Sequence, residues 1–245
     1  VSISRIFQTA DLASGMQMDL DEGATHHLAR VLRAATGDRI TVFNGTGGEY
    51  TASIIAIHKK KITIEVGMFI PREVESPLNL TLAQGISRGE KMDYTIQKAV
   101  ELGVKRIIPL ITERCSVKLT AERREKRFAH WQSIVISACE QSGRNVVPVL
   151  DAPLSLAEWF GRARTVQGFV LAPRANEKLR DVKVIPNTEM ALLIGSEGGL
   201  SEAEIDQSMR AGLTPLNLGP RILRTETAAV AALTALQCAF GDMAE

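Results

Sequence analysis

Three cysteines, four histidines and 4% aromatic residues are few for 245 positions. Cys115, Cys139 and Cys238 are odd in number and scattered, so they do not form a disulfide framework and are expected as free thiols. Apart from the adjacent His26 and His27, no pair of Cys or His has ligand spacing, and no metal is expected. The few aromatic side chains argue against a base-stacking platform of the RNA-recognition-motif kind. Long apolar runs are missing too. The nearest, 228–240, is broken by Thr234 and Gln237 and is shorter than the roughly 20 residues of a membrane span. The opening stretch VSISRIFQTADLASG lacks the charged-then-apolar order of a secretory signal, so a cytoplasmic location is expected. Net charge is also small, at +1, but it is unevenly spread: residues 84–145 hold twelve Lys and Arg against seven Asp and Glu. A basic stretch in a balanced chain fits a polyanionic partner, although its densest part, AERREKRF (121–128), equally suits an ordinary solvated helix face.

With 45% hydrophobic residues the chain can bury a sizeable core. Two periodicities divide it. From 39 to 69, three short runs rich in β-branched residues are separated by NGTGG (44–48) and HKKK (58–61), which predicts hairpins. Before them, 24–34 places Leu28, Val31 and Leu32 at helical spacing, with Arg30 and Arg33 three apart on one face. Two prolines and two glutamates in PREVESPLN (71–79) mark a linker. From Leu80 onward, strand and helix patterns alternate: strands over 80–86, 106–111, 166–172, 189–195 and 214–219, and helices over 89–104, over 128–143 and after the last two strands. Such alternation predicts a mostly parallel sheet in an α/β domain. The resulting division is 1–72, a small β-rich barrel with one helix, and 73–245, the α/β domain.

Open α/β sheets bind ligands beyond the carboxyl ends of their strands. Three such ends stand out: LAPRAN (171–176), GSEGGLS (195–201) and LGPRILRTET (218–227). None contains a Gly-Lys-Ser/Thr phosphate loop or a G-x-G-x-x-G dinucleotide fingerprint, which disfavours a nicotinamide-dependent oxidoreductase. Glu197 stands where a phosphate would want a cation. Glycines let the backbone come close to a ligand, and Leu171, Leu218, Ile222 and Leu223 offer an apolar wall, a combination better suited to adenine than to a triphosphate. Ser201 and Glu204 have capping-box spacing. Thr225 is expected as a helix N-cap, and Glu226 as either a dipole-favoured first-turn acid or a catalytic group.

Together, IGSEGGLSEAEI, LNLGPRILRTETAAVAAL, QGISRGEKMDYTIQKAVELGV and SACEQSGR resemble the 16S rRNA (uracil-N3) methyltransferases of the RsmE type, in the SPOUT class, over essentially the whole chain. The resemblance implies an N-terminal PUA-like RNA-binding barrel and a C-terminal α/β domain with a deep trefoil knot. It implies a homodimer that methylates N3 of uridine 1498 in 16S rRNA of the small ribosomal subunit. The three loops would hold S-adenosyl-L-methionine through Leu171, Ala172, Pro173, Ile194, Gly195, Glu197, Gly198, Gly199, Leu218, Gly219, Pro220, Ile222 and Leu223. Arg224 or Arg88, the latter reached across the dimer, would stabilise the uracil anion, while Glu197 would orient the cofactor or accept a proton. Arg5, Arg30, Arg33, Arg88, Lys91 and Arg144 would contact RNA. Two alternatives remain open: a SPOUT enzyme acting on a ribose 2′-hydroxyl, and a non-catalytic RNA-binding assembly factor.

Overall fold

The computed structural model describes residues 3–59, 61–117, 120–162, 167–185 and 188–243; Lys60 of the HKKK turn and Val166 at the head of one expected strand lie outside them. Two compact units result, one of 1–75 with 139–147 and one of 76–138 with 148–245.

In the first unit, β1 (Ser4–Phe7), β2 (Gln17–Asp19), β3 (Arg39–Phe43), β4 (Glu49–His58) and β5 (Lys61–Ile70) form a five-stranded sheet in the order β1-β3-β4-β5-β2. The three expected runs are β3, β4 and β5, paired antiparallel as the two turns predict. Alternation drives the burial: Ile62, Ile64 and Val66 are fully buried while Lys61 and Glu65 face solvent. The helix departs from expectation. Helix α1 (Glu22–His26), capped by the Asp21 carboxylate at 2.8 Å from the Ala24 N–H, widens into a π turn over His27–Val31, and Arg33 has φ +51°. A π turn breaks the 3.6-residue spacing, so Arg30 and Arg33 do not share a helical face, although both are exposed. Of the three apolar residues only Leu28 is buried, with Val31 62% and Leu32 44% exposed.

Two arginines expected at the RNA surface are instead spent inside this unit. Arg5 pairs with Glu49, donates to Asn145 Oδ1 at 2.6 Å and lies 4.9 Å above the Phe43 ring. Arg144 forks onto Glu75, with Nε 2.8 Å from Oε1, and only 4% of its side chain is exposed. Charges withdrawn from water must be paired and hydrogen-bonded, and guanidiniums committed in this way are not presented to a phosphate backbone. The stretch 71–79 is not slack either, since Glu75 holds Arg144 and Arg72 Nη1 donates to the Gly143 carbonyl at 2.7 Å.

The second unit contains β6 (Asn79–Gly85), α2 (Glu90–Glu101), β7 (Arg106–Ile111), most of α3 (Ala121–Ser142), β8 (Val149–Leu150), β9 (Leu154–Ser155), α4 (Leu156–Arg162), β10 (Gln167–Leu171), β11 (Glu177–Lys178), β12 (Glu189–Ile194), α5 (Glu202–Arg210), β13 (Leu213–Asn217) and α6 (Thr225–Phe240). Its sheet runs β11-β13-β10-β12-β6-β7-β8, with β9 beside β7 and every pairing parallel. Parallel strands buried on both faces read as continuous apolar runs, and Met190 to Ile194 are all buried. Helix α2 turns Met92, Ile96, Ala99 and Val100 inward as expected, and Gly103 ends it at φ +77°. Gln237, which interrupts the apolar run of α6, is fully buried: its amide accepts from Ser76 Oγ and donates to the Leu102 carbonyl, both at 2.7 Å. Because the strands are parallel, the loops after β6, β7, β10, β12 and β13 all leave the same edge of the sheet.

Candidate functional site

At that edge the three loops enclose a cavity of about 990 Å³. Leu171, Ala172 and Pro173 line it at the close of β10, Ile194, Gly195, Glu197, Gly198 and Gly199 at the close of β12, and Leu218, Gly219, Ile222 and Leu223 after β13. Pro220 is the exception among the expected contacts; it is exposed and outside the lining. Lys91, Arg221, Arg224, Thr225 and Glu226 also reach the cavity.

The turn 195–201 is built by close backbone approach. A Cβ on Gly195 would lie 2.6 Å from the Gly199 carbonyl carbon and 2.7 Å from the Leu200 nitrogen. One on Gly85 would lie 2.4 Å from the Ser196 nitrogen. Only Gly199 in the turn needs glycine for its backbone conformation, with φ +69°. The capping box at the head of α5 forms as its spacing predicts: Ser201 Oγ accepts the Glu204 N–H at 3.2 Å, and Glu204 Oε2 accepts the Ser201 N–H at 2.9 Å. The other Glu204 oxygen accepts the Glu113 N–H at 2.7 Å, tying the loop after β7 to this turn.

Thr225 is not the cap of α6. Arg224 occupies that position without a side-chain cap, and the buried Thr225 hydroxyl donates to the Gly195 carbonyl at 2.6 Å while accepting from Gln84 Nε2 at 2.9 Å. A tertiary acceptor has outcompeted the local capping bond. Glu226 lies in the first turn of α6, and its Oε2 is shielded without a hydrogen-bond partner among the described residues.

Glu197 accepts the Arg88 backbone N–H at 2.9 Å and stands 3.5 Å from Lys91 Nζ. Partial burial pushes its carboxyl pKa up, but the Arg88 N–H, its own N–H and the Lys91 ammonium outweigh this and hold it below its ordinary value of 4.5. An ionised, engaged carboxylate of this kind is a weak base and a good latch for the loop after β6. Arg88 belongs to that loop. Its side chain turns away from the lining residues, with Nε donating to Ser116 Oγ at 2.6 Å.

The lowered pKa makes a testable prediction. The latch contributes stability above the pKa of an unfolded glutamate and loses it as pH falls through the lowered folded value. The thermal midpoint of the protein should therefore exceed that of Glu197→Gln by a constant amount from about pH 8 to about pH 5, with the gap closing only in stronger acid. A gap that instead tracks pH across the neutral range would contradict the assignment.

Arg114, which the sequence reading missed, lines the cavity after β7. Its Nη1 lies 3.3 Å from the carbonyls of both Gly198 and Leu200. The strand-end rule that selected the other loops applies equally to TERC (112–115), but a loop without glycine or proline gave no composition signal.

The lining joins an apolar wall to backbone amides crowded against each other and to the carboxylates of Glu197 and Glu226, with Arg221 and Arg224 exposed at the third loop. Such a cradle fits a ligand with a flat apolar ring and a cationic centre. No group of three or more His, Cys, Asp and Glu among the described residues could hold a metal ion, and none of the helices formed by those residues is long and apolar enough to cross a membrane.

A family model described as an RNA methyltransferase domain matches residues 74–237, and one described as an RNA methyltransferase PUA domain matches 20–67. The ribosomal RNA small subunit methyltransferase E of Buchnera aphidicola subsp. Schizaphis graminum is 39% identical over 98% of this chain and 98% of its own. The protein of the same name from Bacillus subtilis is 31% identical over 86% of each. Among solved structures, a methyltransferase from Legionella pneumophila in complex with the bound cofactor SAM superposes with a TM-score of 0.96 at 43% identity, covering 99% of this chain and all of that one. A ribosomal RNA small subunit methyltransferase E from Neisseria gonorrhoeae, bound to S-adenosyl methionine, gives 0.91 at 40% identity over 99% of this chain and 100% of its own.

Proposed function

Since this chain belongs to the ribosomal RNA small subunit methyltransferase E family, we propose that it methylates N3 of one uridine, uridine 1498, in 16S rRNA of the small ribosomal subunit, using S-adenosyl-L-methionine. The observation that carries this reading is the single cavity formed by the loops after β10, β12 and β13, in a chain 40% identical, end to end, to a relative solved with that cofactor. The crowding of Gly195 and the apolar wall of Leu171, Leu218 and Leu223 suit the adenosyl group, and the carboxylates suit its cationic end. Residues 1–72 serve as a PUA-like RNA-binding barrel and 73–245 as a SPOUT methyltransferase domain whose last loops thread a trefoil knot. The protein works as a cytoplasmic homodimer.

When bound, S-adenosylmethionine supplies an electrophilic methyl carbon on a sulfonium leaving group. The chain's task is alignment and making N3 nucleophilic. N3 passes its proton to solvent, and the resulting charge spreads onto O2 and O4 of the uracil. Arg224, exposed on the cavity lining at the head of α6, stabilises that anion. Glu197, already ionised, holds the Arg88 loop and Lys91, at the head of α2, against the cofactor turn. Arg30, Arg33, Arg88 and Lys91 contact the RNA, and the target base leaves its stack to reach the site.

The test is to incubate the protein and cofactor with small subunits lacking the modification, then map new methyl groups by mass spectrometry of RNA fragments. A methyl on N3 of one uridine is expected. A methyl on a ribose 2′-hydroxyl would replace the uracil chemistry with ribose chemistry, and cofactor binding without any transfer to subunits or free rRNA would overturn the substrate assignment.

A further inference from the structure

The cofactor turn has three glycines in the five residues 195–199, and glycine loses more backbone freedom on ordering than any other residue. A turn of this composition needs outside restraints to hold one shape. Gly195 is held by Thr225, and Glu197 by the Arg88 N–H. The segment 198–200 is held from outside by the loop after β7. Arg114 Nη1 reaches the Gly198 and Leu200 carbonyls at 3.3 Å each, and the Arg114 carbonyl accepts from Ser196 Oγ at 3.3 Å. Contact extends to the Cα of Gly198, where a Cβ would lie 2.8 Å from Arg114 Cβ and 3.0 Å from the Arg114 carbonyl oxygen. The neighbouring Glu113 N–H is fixed by Glu204 at 2.7 Å, so the clamp is itself anchored to α5.

We propose that Arg114 is a positioning residue for the cofactor: its guanidinium bridges two carbonyls of the turn and sets the backbone shape that the ligand meets. This rests on the reading of the cavity as the S-adenosylmethionine site. Arg114 acts through Gly198 and Leu200 and carries no part of the methyl transfer. Both carbonyls are met by the one nitrogen Nη1, which the planar guanidinium holds in place, whereas a lysine ammonium on a flexible stem would reach them with less pre-organisation. A rim arginine could instead serve as a phosphate contact; that role would be indifferent to the exchange of Arg for Lys and sensitive to salt.

The experiment is calorimetric titration of S-adenosylmethionine into the wild-type protein, Arg114→Ala and Arg114→Lys, without RNA, followed by rRNA methylation at saturating cofactor. The positioning role predicts a dissociation constant raised about tenfold in Arg114→Ala and only partly recovered in Arg114→Lys, with the RNA KM and its salt dependence unchanged. Equal cofactor affinity in wild type and Arg114→Ala would overturn the inference, as would a raised, salt-steepened RNA KM with cofactor affinity intact. Failure of the wild-type protein to bind the cofactor at all would instead sink the reading of the cavity. Gly198→Ala provides an independent check, because its Cβ would displace Arg114; it should weaken cofactor binding to a similar extent, and unchanged binding would count against the clamp.

Discussion

Gly195→Ala should weaken S-adenosylmethionine binding by about a hundredfold, a loss at the upper end of the usual cost of overpacking. The added methyl would sit 2.6 Å from the Gly199 carbonyl carbon and 2.7 Å from the Leu200 nitrogen. Both are backbone atoms, so no rotamer change relieves the clash. Retreat in the other direction is also blocked: a Cβ on Gly85 would already lie 2.4 Å from the Ser196 nitrogen, so the strand-end backbones of β6 and β12 are in close contact. Gly195 O also holds the Thr225 hydroxyl, so a shifted turn would strain the start of α6. Titration of the cofactor reads the affinity, and a thermal melt separates local distortion from unfolding. Gly199→Ala is the matched control. Its φ of +69° costs backbone strain, but open space surrounds the new methyl, so its effect should be smaller. Equal, mild effects from both substitutions would show that conformation, and not crowding, makes glycine necessary in this turn.

Arg224→Ala is expected to lower the methylation rate at saturating RNA and cofactor by about a hundredfold to a thousandfold, the usual loss when one preorganised donor to a developing anion is removed. Cofactor affinity should barely change, because the residue is exposed at the head of α6 and makes no side-chain cap there. Arg88→Ala should behave differently. The bond from Arg88 to Glu197 comes from the backbone and survives truncation, and its side chain is turned toward Ser116. Its loss should raise the RNA KM more than it lowers the rate. Full rates in both variants would remove arginine from the chemistry of N3.

Two withdrawn arginines illustrate how position in a sequence can mislead. Arg144 follows a helix-ending glycine at the close of the motif SACEQSGR, a place that reads as a solvent-facing cation. Its partner, Glu75, is 69 residues away, and no local pattern signals that pairing. Arg5 is withdrawn in the same way by Glu49, 44 residues distant. Thr225 sits correctly for a helix cap by local rules, and only the long-range approach of Gly195, 30 residues earlier, gives its hydroxyl a better partner. Arg114 is the opposite case, a residue with no local signal and a long-range role. It gains its place only because β7 runs parallel to its neighbours and ends at the same edge as β12.

The sequence alone determined the main strands and helices, though not the π turn after α1, and the chemistry of the turn. Hydrophobic period separates the β-rich region from the alternating one, glycine and capping signals mark where α2 and α5 begin or end, and the ordered motifs identify the family. These depend on residues near one another along the chain, where sterics and helix or strand geometry act directly. Only the tertiary structure decided which charges are free and which are spent, that the loop after β7 closes on the turn after β12, and that crowding and not φ fixes Gly195. Each of these depends on which distant segments share the edge of the parallel sheet, a juxtaposition set by strand order, for which no local period carries a signal.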